Sequence, residues 1–180
     1  MDLAEGEVKQ GLSKFDSNQT IENYLEKSYF KTASLIANSA QAVGVLSEVS
    51  EIELKNLYNY GKQLGLAFQV VDDILDFTSS DKELGKPAAN DLLNGYLTAP
   101  TLFAIEENPI LSDLINREFS LEGDIEQALQ IVRDSDAISR AIGLAENLAK
   151  ESYESINWIP DSPSKRALLD LPECVLGRLY

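Results

Sequence analysis

Residues 66–77 restrict the fold of this chain more than any other segment. On a helix, at about 100° per residue, the four polar side chains of this segment fall within an arc of roughly 100°: Gln69, Asp72, Asp73 and Asp76. The other side chains are apolar, so the segment predicts a largely buried helix with one narrow acidic stripe. Neighbouring carboxylates inside a protein repel one another and lose hydration, which is costly unless cations compensate.

Helical periodicity also dominates the rest of the chain, and no stretch alternates convincingly as a strand. A first helix ends near Gly11, and Thr20 can cap the next one with Asn23 at the capping-box position. We predict further helices over residues 21–47, 51–77, from about 98–100, 122–132, 134–156 and 164–171. With no repeat and no long linker, the sequence predicts a single all-α domain over residues 1–180.

Small residues recur along one face of the helix predicted over residues 21–47: Ala33, Ala37, Ala40 and Gly44. Such residues allow two helices to approach closely, so this spacing predicts tight packing and Gly44 needs no functional explanation.

The composition excludes several classes of function. The chain has no His, which excludes histidine bases and His-ligated zinc, and its single Cys174 excludes an internal disulfide. A formal charge of −15 argues against a nucleic-acid binder. No apolar run approaches membrane-spanning length and the N-terminus does not read as a signal or transit peptide, so we expect a soluble protein without a transmembrane segment.

The acidic stripe is a candidate metal site. The carboxylates of Asp72, Asp73 and Asp76 are hard oxygen donors that suit Mg²⁺, which accepts further ligands from a substrate phosphate. The same spacing also occurs on solvated helix surfaces, and that alternative stays open, although the apolar neighbours favour a buried site. An EF-hand is excluded because its loop needs a central Gly and a closing Glu.

Two lysines flank this helix in the sequence. Lys31 lies in the helix before it, and Lys86 follows it in the segment Gly85-Lys86-Pro87. Either could contact an anion held by the metal, but the spacing alone favours Lys31 as a surface residue, and Gly85-Lys86-Pro87 could be an ordinary turn.

A set of short motifs runs in order over almost the whole chain: Gly6-Glu7 with Gln10, Tyr24-Leu25, Lys31-Thr32-Ala33, Gly61, Leu64-Gly65-Leu66-Ala67-Phe68-Gln69, Asp72-Asp73-Ile74-Leu75-Asp76, Gly85-Lys86-Pro87 and Asn90-Asp91-Leu92. Together these motifs resemble, in order and spacing, those of the trans-isoprenyl (polyprenyl) diphosphate synthase family. Details around Lys31 and in the tail further resemble the long-chain, solanesyl type of photosynthetic organisms.

The resemblance implies the isoprenoid synthase helical bundle and a magnesium-dependent reaction. In that family an allylic diphosphate ionises, isopentenyl diphosphate attacks the carbocation, and a proton is lost. The resemblance makes Asp72 the principal Mg²⁺ ligand of the second aspartate-rich motif, with Asp73 and Asp76 completing its ligand and hydrogen-bond network.

The resemblance also assigns roles to the remaining candidates. It implies that Lys31 and Lys86 bind the allylic diphosphate. It further implies that Thr32 and Gln69 lie near the reacting carbons and the leaving group.

The family's first aspartate-rich motif and its isopentenyl diphosphate pocket belong to an upstream half that these residues do not include. We therefore expect this chain to be inactive alone and to act as a homodimer or with another synthase chain, in a plastid or the cytoplasm. One alternative is a non-catalytic regulatory or scaffold subunit that pairs with a complete synthase. A class I terpene cyclase is another, although Lys31-Thr32 and Gly85-Lys86-Pro87 fit it less well.

Overall fold

The computed structural model describes residues 11, 13–78 and 89–180, and every regular element in these ranges is helical. This confirms the predicted all-α class. The elements are α1 (Ile21–Ser28), a π-helical turn (Tyr29–Ala33), α2 (Ser34–Leu46), α3 (Glu51–Thr78), α4 (Asn90–Leu93), α5 (Ala99–Glu107), α6 (Pro109–Asn116), α7 (Asp124–Asp134), α8 (Ala137–Ser155), α9 (Pro163–Leu176) and a 3₁₀ turn (Gly177–Leu179). The helix predicted to end near Gly11 lies largely outside the described residues.

The first long helix begins at the predicted cap. Thr20 Oγ1 accepts a hydrogen bond from the backbone N–H of Asn23 at 3.2 Å, and Asn23 Oδ1 accepts one from the N–H of Thr20 at 3.3 Å. These two bonds form the capping box that the sequence predicts. The helix predicted over residues 21–47 is confirmed in extent, but the turn Tyr29–Ala33 is π-helical. Such wider turns often occur at functional sites.

α3 packs closely on the π turn and on α2 through small residues, as predicted. A Cβ atom added to Gly61 would lie 2.6 Å from the carbonyl oxygen of Ile36, and one added to Gly65 would lie 2.6 Å from Cα of Ala33. Only glycine fits at these two positions because the opposing atoms belong to the backbone.

α3 forms the centre of the structure and packs against α2, α8 and α9. The apolar side chains of its second half are buried, which confirms the predicted burial of this helix: Leu66, Ala67, Val70, Val71, Ile74 and Phe77. Leu75 is only partly buried, and Phe68 is 40% exposed. None of the helices in the described ranges is long and apolar enough to cross a membrane.

The C-terminal helices differ from prediction mainly in their ends. α5 begins at Ala99 with a proline in its first turn, as predicted. α6 is not among the helices predicted from the sequence. Asn108 caps it by accepting a hydrogen bond from the N–H of Ile110 at 3.1 Å. α7 and α8 begin two and three residues after the predicted starts.

α9 extends to Leu176, although the sequence predicts an end at residue 171 before Pro172. Proline has no N–H to bond the carbonyl of Leu168, four residues earlier. The hydroxyl of Tyr60 on α3 donates to that carbonyl at 2.7 Å. A contact from another helix therefore satisfies the acceptor and lets α9 continue through the proline.

Candidate functional site

The three predicted aspartate ligands have unequal surroundings. Asp73 and Asp76 are 4% and 2% exposed, whereas the side chain of Asp72 is 55% exposed. The buried setting that the apolar neighbours favour for the three carboxylates is therefore wrong for Asp72. This residue faces outward from α3, where its Oδ1 accepts a hydrogen bond from Nη2 of Arg178 at 3.0 Å.

Asp73 is held at both carboxylate oxygens. The Tyr24 hydroxyl donates to Oδ2 at 2.6 Å, and Nε2 of Gln69 donates to Oδ1 at 2.9 Å. Burial raises the pKa of Asp73 to about 7, while its two hydrogen bonds act in the opposite direction. Burial and the Asp73 carboxylate raise the pKa of Tyr24 well above its usual value, so this hydroxyl stays protonated.

Thr32 extends this network into the π-helical turn. Its hydroxyl donates to Oε1 of Gln69 at 2.9 Å. The structure thus brings together Thr32, Gln69 and Asp73, three of the site residues predicted from the sequence. The π turn also carries Lys31, so one hydrogen-bond chain connects α3 to the segment that presents this lysine.

Asp76 anchors the chain that continues at residue 89. Its Oδ2 accepts a hydrogen bond from the N–H of Asp91 at 3.2 Å, and its carbonyl oxygen accepts one from the N–H of Ala89 at 2.7 Å. Both bonds fix the start of α4 against the end of α3. The other predicted lysine, Lys86, lies outside the described residues.

A polar cavity of about 70 Å³ lies beside these side chains, between α1, α3 and the segment that follows α4. It brings together three of the predicted site residues, Lys31, Gln69 and Asp73. Its lining also includes residues to which the sequence analysis gave no role: Tyr24, Lys27, Ser28, Asp91, Tyr96, Leu97 and Thr98.

Lys27 is the second cation at this cavity. Its Nζ donates to Ser13 Oγ at 2.9 Å and to Gln19 Oε1 at 2.5 Å. Burial lowers the pKa of Lys27 to about 8. Tyr24, Lys27 and Lys31 are spaced by three and four residues, which indicates one helix face, so the sequence did contain a signal for Lys27 and Tyr24.

The implied magnesium needs oxygen ligands. Within residues 13–78 and 89–180, no group of three or more acidic, Cys or His side chains is arranged to hold a metal ion. Asp72 nevertheless suits Mg²⁺, because this cation binds through one or two carboxylates and takes its other ligands from water and phosphate. Asp73 and Asp76 are engaged in the hydrogen bonds described above and fit a supporting role.

Comparison with known proteins identifies the family. Residues 1–132 match the model described as polyprenyl synthetase. A prenyl transferase of Synechocystis sp. is 54% identical over 179 residues, which are 99% of this chain and 55% of that protein. The chloroplastic solanesyl diphosphate synthase 2 of Arabidopsis thaliana is 46% identical over 178 residues, 99% of this chain and 43% of that protein. The chain thus spans about half the length of these curated relatives.

Solved structures agree with this assignment. Heptaprenyl diphosphate synthase from Staphylococcus aureus has a TM-score of 0.92 and 36% identity, over 99% of this chain and 57% of that one. An Arabidopsis medium/long-chain length prenyl pyrophosphate synthase has a TM-score of 0.88 and 37% identity, over 99% and 62%. These matches confirm the predicted isoprenoid synthase bundle, and this chain therefore belongs to the polyprenyl synthetase family of prenyltransferases.

Proposed function

We propose that this chain binds the magnesium complex of an allylic diphosphate and forms one half of a polyprenyl diphosphate synthase active site. The observation that carries the proposal is the shared cavity, where Lys31 from the π turn meets Gln69 and Asp73 from α3. A diphosphate requires cationic donors, and charge-assisted hydrogen bonds to its oxygens are stronger than those from neutral donors. Lys31 supplies such a donor.

Each predicted residue has a distinct task in this proposal. Asp72 holds Mg²⁺ through its accessible carboxylate, while Asp73 and Asp76 fix the surrounding backbone and side chains. Bound magnesium would stabilise the negative charge of the departing pyrophosphate. Lys31 and, by family resemblance, Lys86 neutralise the remaining phosphate charge.

Thr32 and Gln69 are proposed to lie near the reacting carbons and the leaving group. Their hydrogen bond at 2.9 Å holds both polar groups in a defined orientation at the end of the π turn. Such fixed dipoles can stabilise charge that develops as the allylic C–O bond breaks.

The complete condensation is proposed for an assembly that contains more than these 180 residues. The allylic C–O bond breaks and its electron pair leaves with pyrophosphate, isopentenyl diphosphate forms the new C–C bond, and a proton is then lost. The sequence contains a single Asp-Asp-x-x-Asp motif, Asp72-Asp73-Ile74-Leu75-Asp76.

The proposed partner is a second copy of this chain, in a homodimer, or another synthase chain. A plastid is the proposed location, supported by the relatives named chloroplastic.

Binding of pyrophosphate tests the proposed site. We expect Mg²⁺ and pyrophosphate together to raise the melting temperature more than either does alone, because each supplies ligands for the other. Asp72→Asn should remove most of this joint effect. Asp161→Asn is the matched control, since the Asp161 side chain is 96% exposed and lies before α9. An equal shift in wild type and Asp72→Asn would refute the proposed metal site.

Activity tests the proposed division of the reaction. With Mg²⁺, an allylic diphosphate and radiolabelled isopentenyl diphosphate, the chain alone should give no elongated product above a control without enzyme. Product formation by the chain alone would refute the proposal that it is one half of the active site.

A further inference from the structure

Tyr24 provides the shortest hydrogen bond to Asp73, 2.6 Å from its hydroxyl to Oδ2. The tyrosine is 4% exposed and lies seven residues before Lys31. The bond connects α1 to α3 across 49 residues of sequence, directly at the polar cavity. The hydrogen-bonded pair Tyr24 and Asp73 is therefore part of the wall of the cavity that Lys31 also lines.

We propose that Tyr24 is a positioning residue of the diphosphate site: its hydroxyl holds the Asp73 carboxylate in place and so keeps Lys31 available for the anion. This inference rests on the proposed function of the site. Tyr24 has no part in the chemistry itself and acts through Asp73.

The charges around the cavity explain why Asp73 must be held. Asp73 shares the cavity with two cations, Lys27 and Lys31, and with the carboxylate of Asp91. A carboxylate released from Tyr24 can turn about its side-chain bonds and pair with a lysine. That pairing would compete with the diphosphate for the same cation.

Through its other oxygen, Oδ1, Asp73 is also linked by hydrogen bonds to the π turn. Gln69 donates to Oδ1 of Asp73 through Nε2 and accepts from Thr32 through Oε1. With both amide atoms bonded, the orientation of Gln69 depends on the placement of Asp73. Loss of the Tyr24 bond should therefore also loosen the turn next to Lys31.

Tyr24→Phe tests the proposal because it removes one oxygen and keeps the ring. Tyr60→Phe is the matched control: Tyr60 is also 4% exposed, and its hydroxyl donates to Leu168 at 2.7 Å, away from the cavity. Pyrophosphate binding in saturating Mg²⁺ is measured by calorimetry well below the melting temperature of each variant. We expect Tyr24→Phe to weaken binding by about 5- to 30-fold, and Tyr60→Phe to change it less than about twofold.

Two outcomes would overturn the proposal: wild-type affinity in Tyr24→Phe, or an equal loss of affinity in Tyr60→Phe, which would indicate a general effect of stability. If wild-type protein binds no magnesium pyrophosphate, the proposed function itself fails, and this inference fails with it.

A thermodynamic cycle with Asp73→Asn separates positioning from direct contact. If Tyr24 acts through Asp73, adding Tyr24→Phe to Asp73→Asn should cause little further loss of pyrophosphate affinity. Additive losses would show that Tyr24 acts independently of Asp73 and would overturn the inference.

Discussion

Arg178 and Asp72 are 106 residues apart in sequence and meet at 3.0 Å, from Nη2 to Oδ1. The same guanidinium lies over the ring of Phe68, with Cζ 5.0 Å from the ring centroid. The C-terminal turn is therefore fastened to the outer face of α3 at two neighbouring positions. One of them is the aspartate to which we assign the metal.

Removal of the Arg178 side chain should make it easier for Mg²⁺ to bind the Asp72 carboxylate. Because the ion pair is half-exposed, its loss in Arg178→Gln should change the free energy of unfolding by less than about 1 kcal/mol. The Mg²⁺ concentration needed for half-maximal stabilisation by pyrophosphate should fall by about two- to fivefold. Arg133→Gln, at an exposed position of α7, controls for the loss of one positive charge. An unchanged Mg²⁺ dependence would show that Arg178 does not compete with the metal.

Lys27 should make stability depend on pH above neutrality. Its pKa falls from 10.5 to about 8 on folding, mainly through burial, and Lys31 adds to this effect while Asp16 and Asp73 oppose it. Between these pH values the unfolded chain binds more protons at this residue, so stability increases with pH.

Lys27→Gln isolates this dependence. The free energy of unfolding of wild type, measured relative to the variant in urea, should rise between about pH 7.5 and 9.5. Shared contributions, including that of Tyr24, cancel in the difference. A difference that stays constant across the range would mean that Lys27 keeps its ordinary pKa in the folded protein.

The ion pair between Arg117 and Asp124 should stabilise the junction of α6 and α7. Nε and Nη2 of Arg117 donate to the carboxylate at 2.8 and 2.5 Å, and the N–H of Leu121 donates to it at 3.1 Å. The bonds from Arg117 hold the pKa of Asp124 below its usual range. This stabilisation is fully present above the unfolded pKa of about 3.9 and is lost as pH falls through the lower folded value.

Asp124→Asn should therefore lower the melting temperature at pH 7 much more than at pH 2. Calorimetric scans of wild type and Asp124→Asn between pH 2 and pH 7 measure the difference in melting temperature. Asp134→Asn, at the other end of α7, serves as the control and should show little change at either pH. If the difference in melting temperature between wild type and Asp124→Asn does not decrease at low pH, the ion pair between Arg117 and Asp124 contributes no pH-dependent stability.

The apolar outer face of α2 should promote association. Leu35, Val43 and Leu46 are 74%, 61% and 85% exposed, and covering apolar surface contributes about 25 cal/mol per Å². Light scattering coupled to size exclusion should show a dimer or larger species despite the formal charge of −15. Leu35→Glu with Leu46→Glu should shift it toward monomer, whereas Leu121→Glu, elsewhere on the surface, should not. A monomeric wild-type protein would contradict this expectation.

Local signals predict much of this fold. The capping box at Thr20 and the apolar arcs of α3 depend on residues within a few turns of one another, so they can be read from the sequence. The Asn108-Pro109 pair is a comparable local signal for the start of α6. The end of α9 could not be predicted, because the contact that lets it pass Pro172 comes from Tyr60, 108 residues before Leu168.

In the candidate site, too, some features can be predicted from nearby residues in the sequence and others depend on distant contacts. The motif and its spacing nominate the aspartates, whereas Lys31 is singled out only by the family resemblance, and Tyr24 and Lys27 share a helix face with that lysine. The unequal burial of Asp72 and Asp73 was not evident, because it depends on which elements fold against each side of α3. Arg178 was equally hidden, since only the folded chain brings the C-terminal turn to the acidic helix.

The close packing of α2 on α3 gives the sharpest test of the fold. Gly61→Ala would place a Cβ 2.6 Å from the Ile36 carbonyl oxygen and 2.8 Å from Cα of Ala37, so the two helix backbones must move apart. We expect a loss of about 1–3 kcal/mol in the free energy of unfolding. Gly143→Ala is the matched control, because its Cβ meets nothing within 4 Å in the middle of α8.

Gly143→Ala should stabilise the protein by about 0.5–1 kcal/mol, since alanine loses less backbone entropy in a helix than glycine does. Urea titrations of both variants give the two values under one set of conditions. If Gly61→Ala lowers the free energy of unfolding and Gly143→Ala raises it, then contact between helix backbones, rather than helix propensity, determines the residue at position 61. A stabilising Gly61→Ala would mean that α2 and α3 lie farther apart than the structure shows, and the turn that carries Lys31 would then not be held at its observed distance from Gln69.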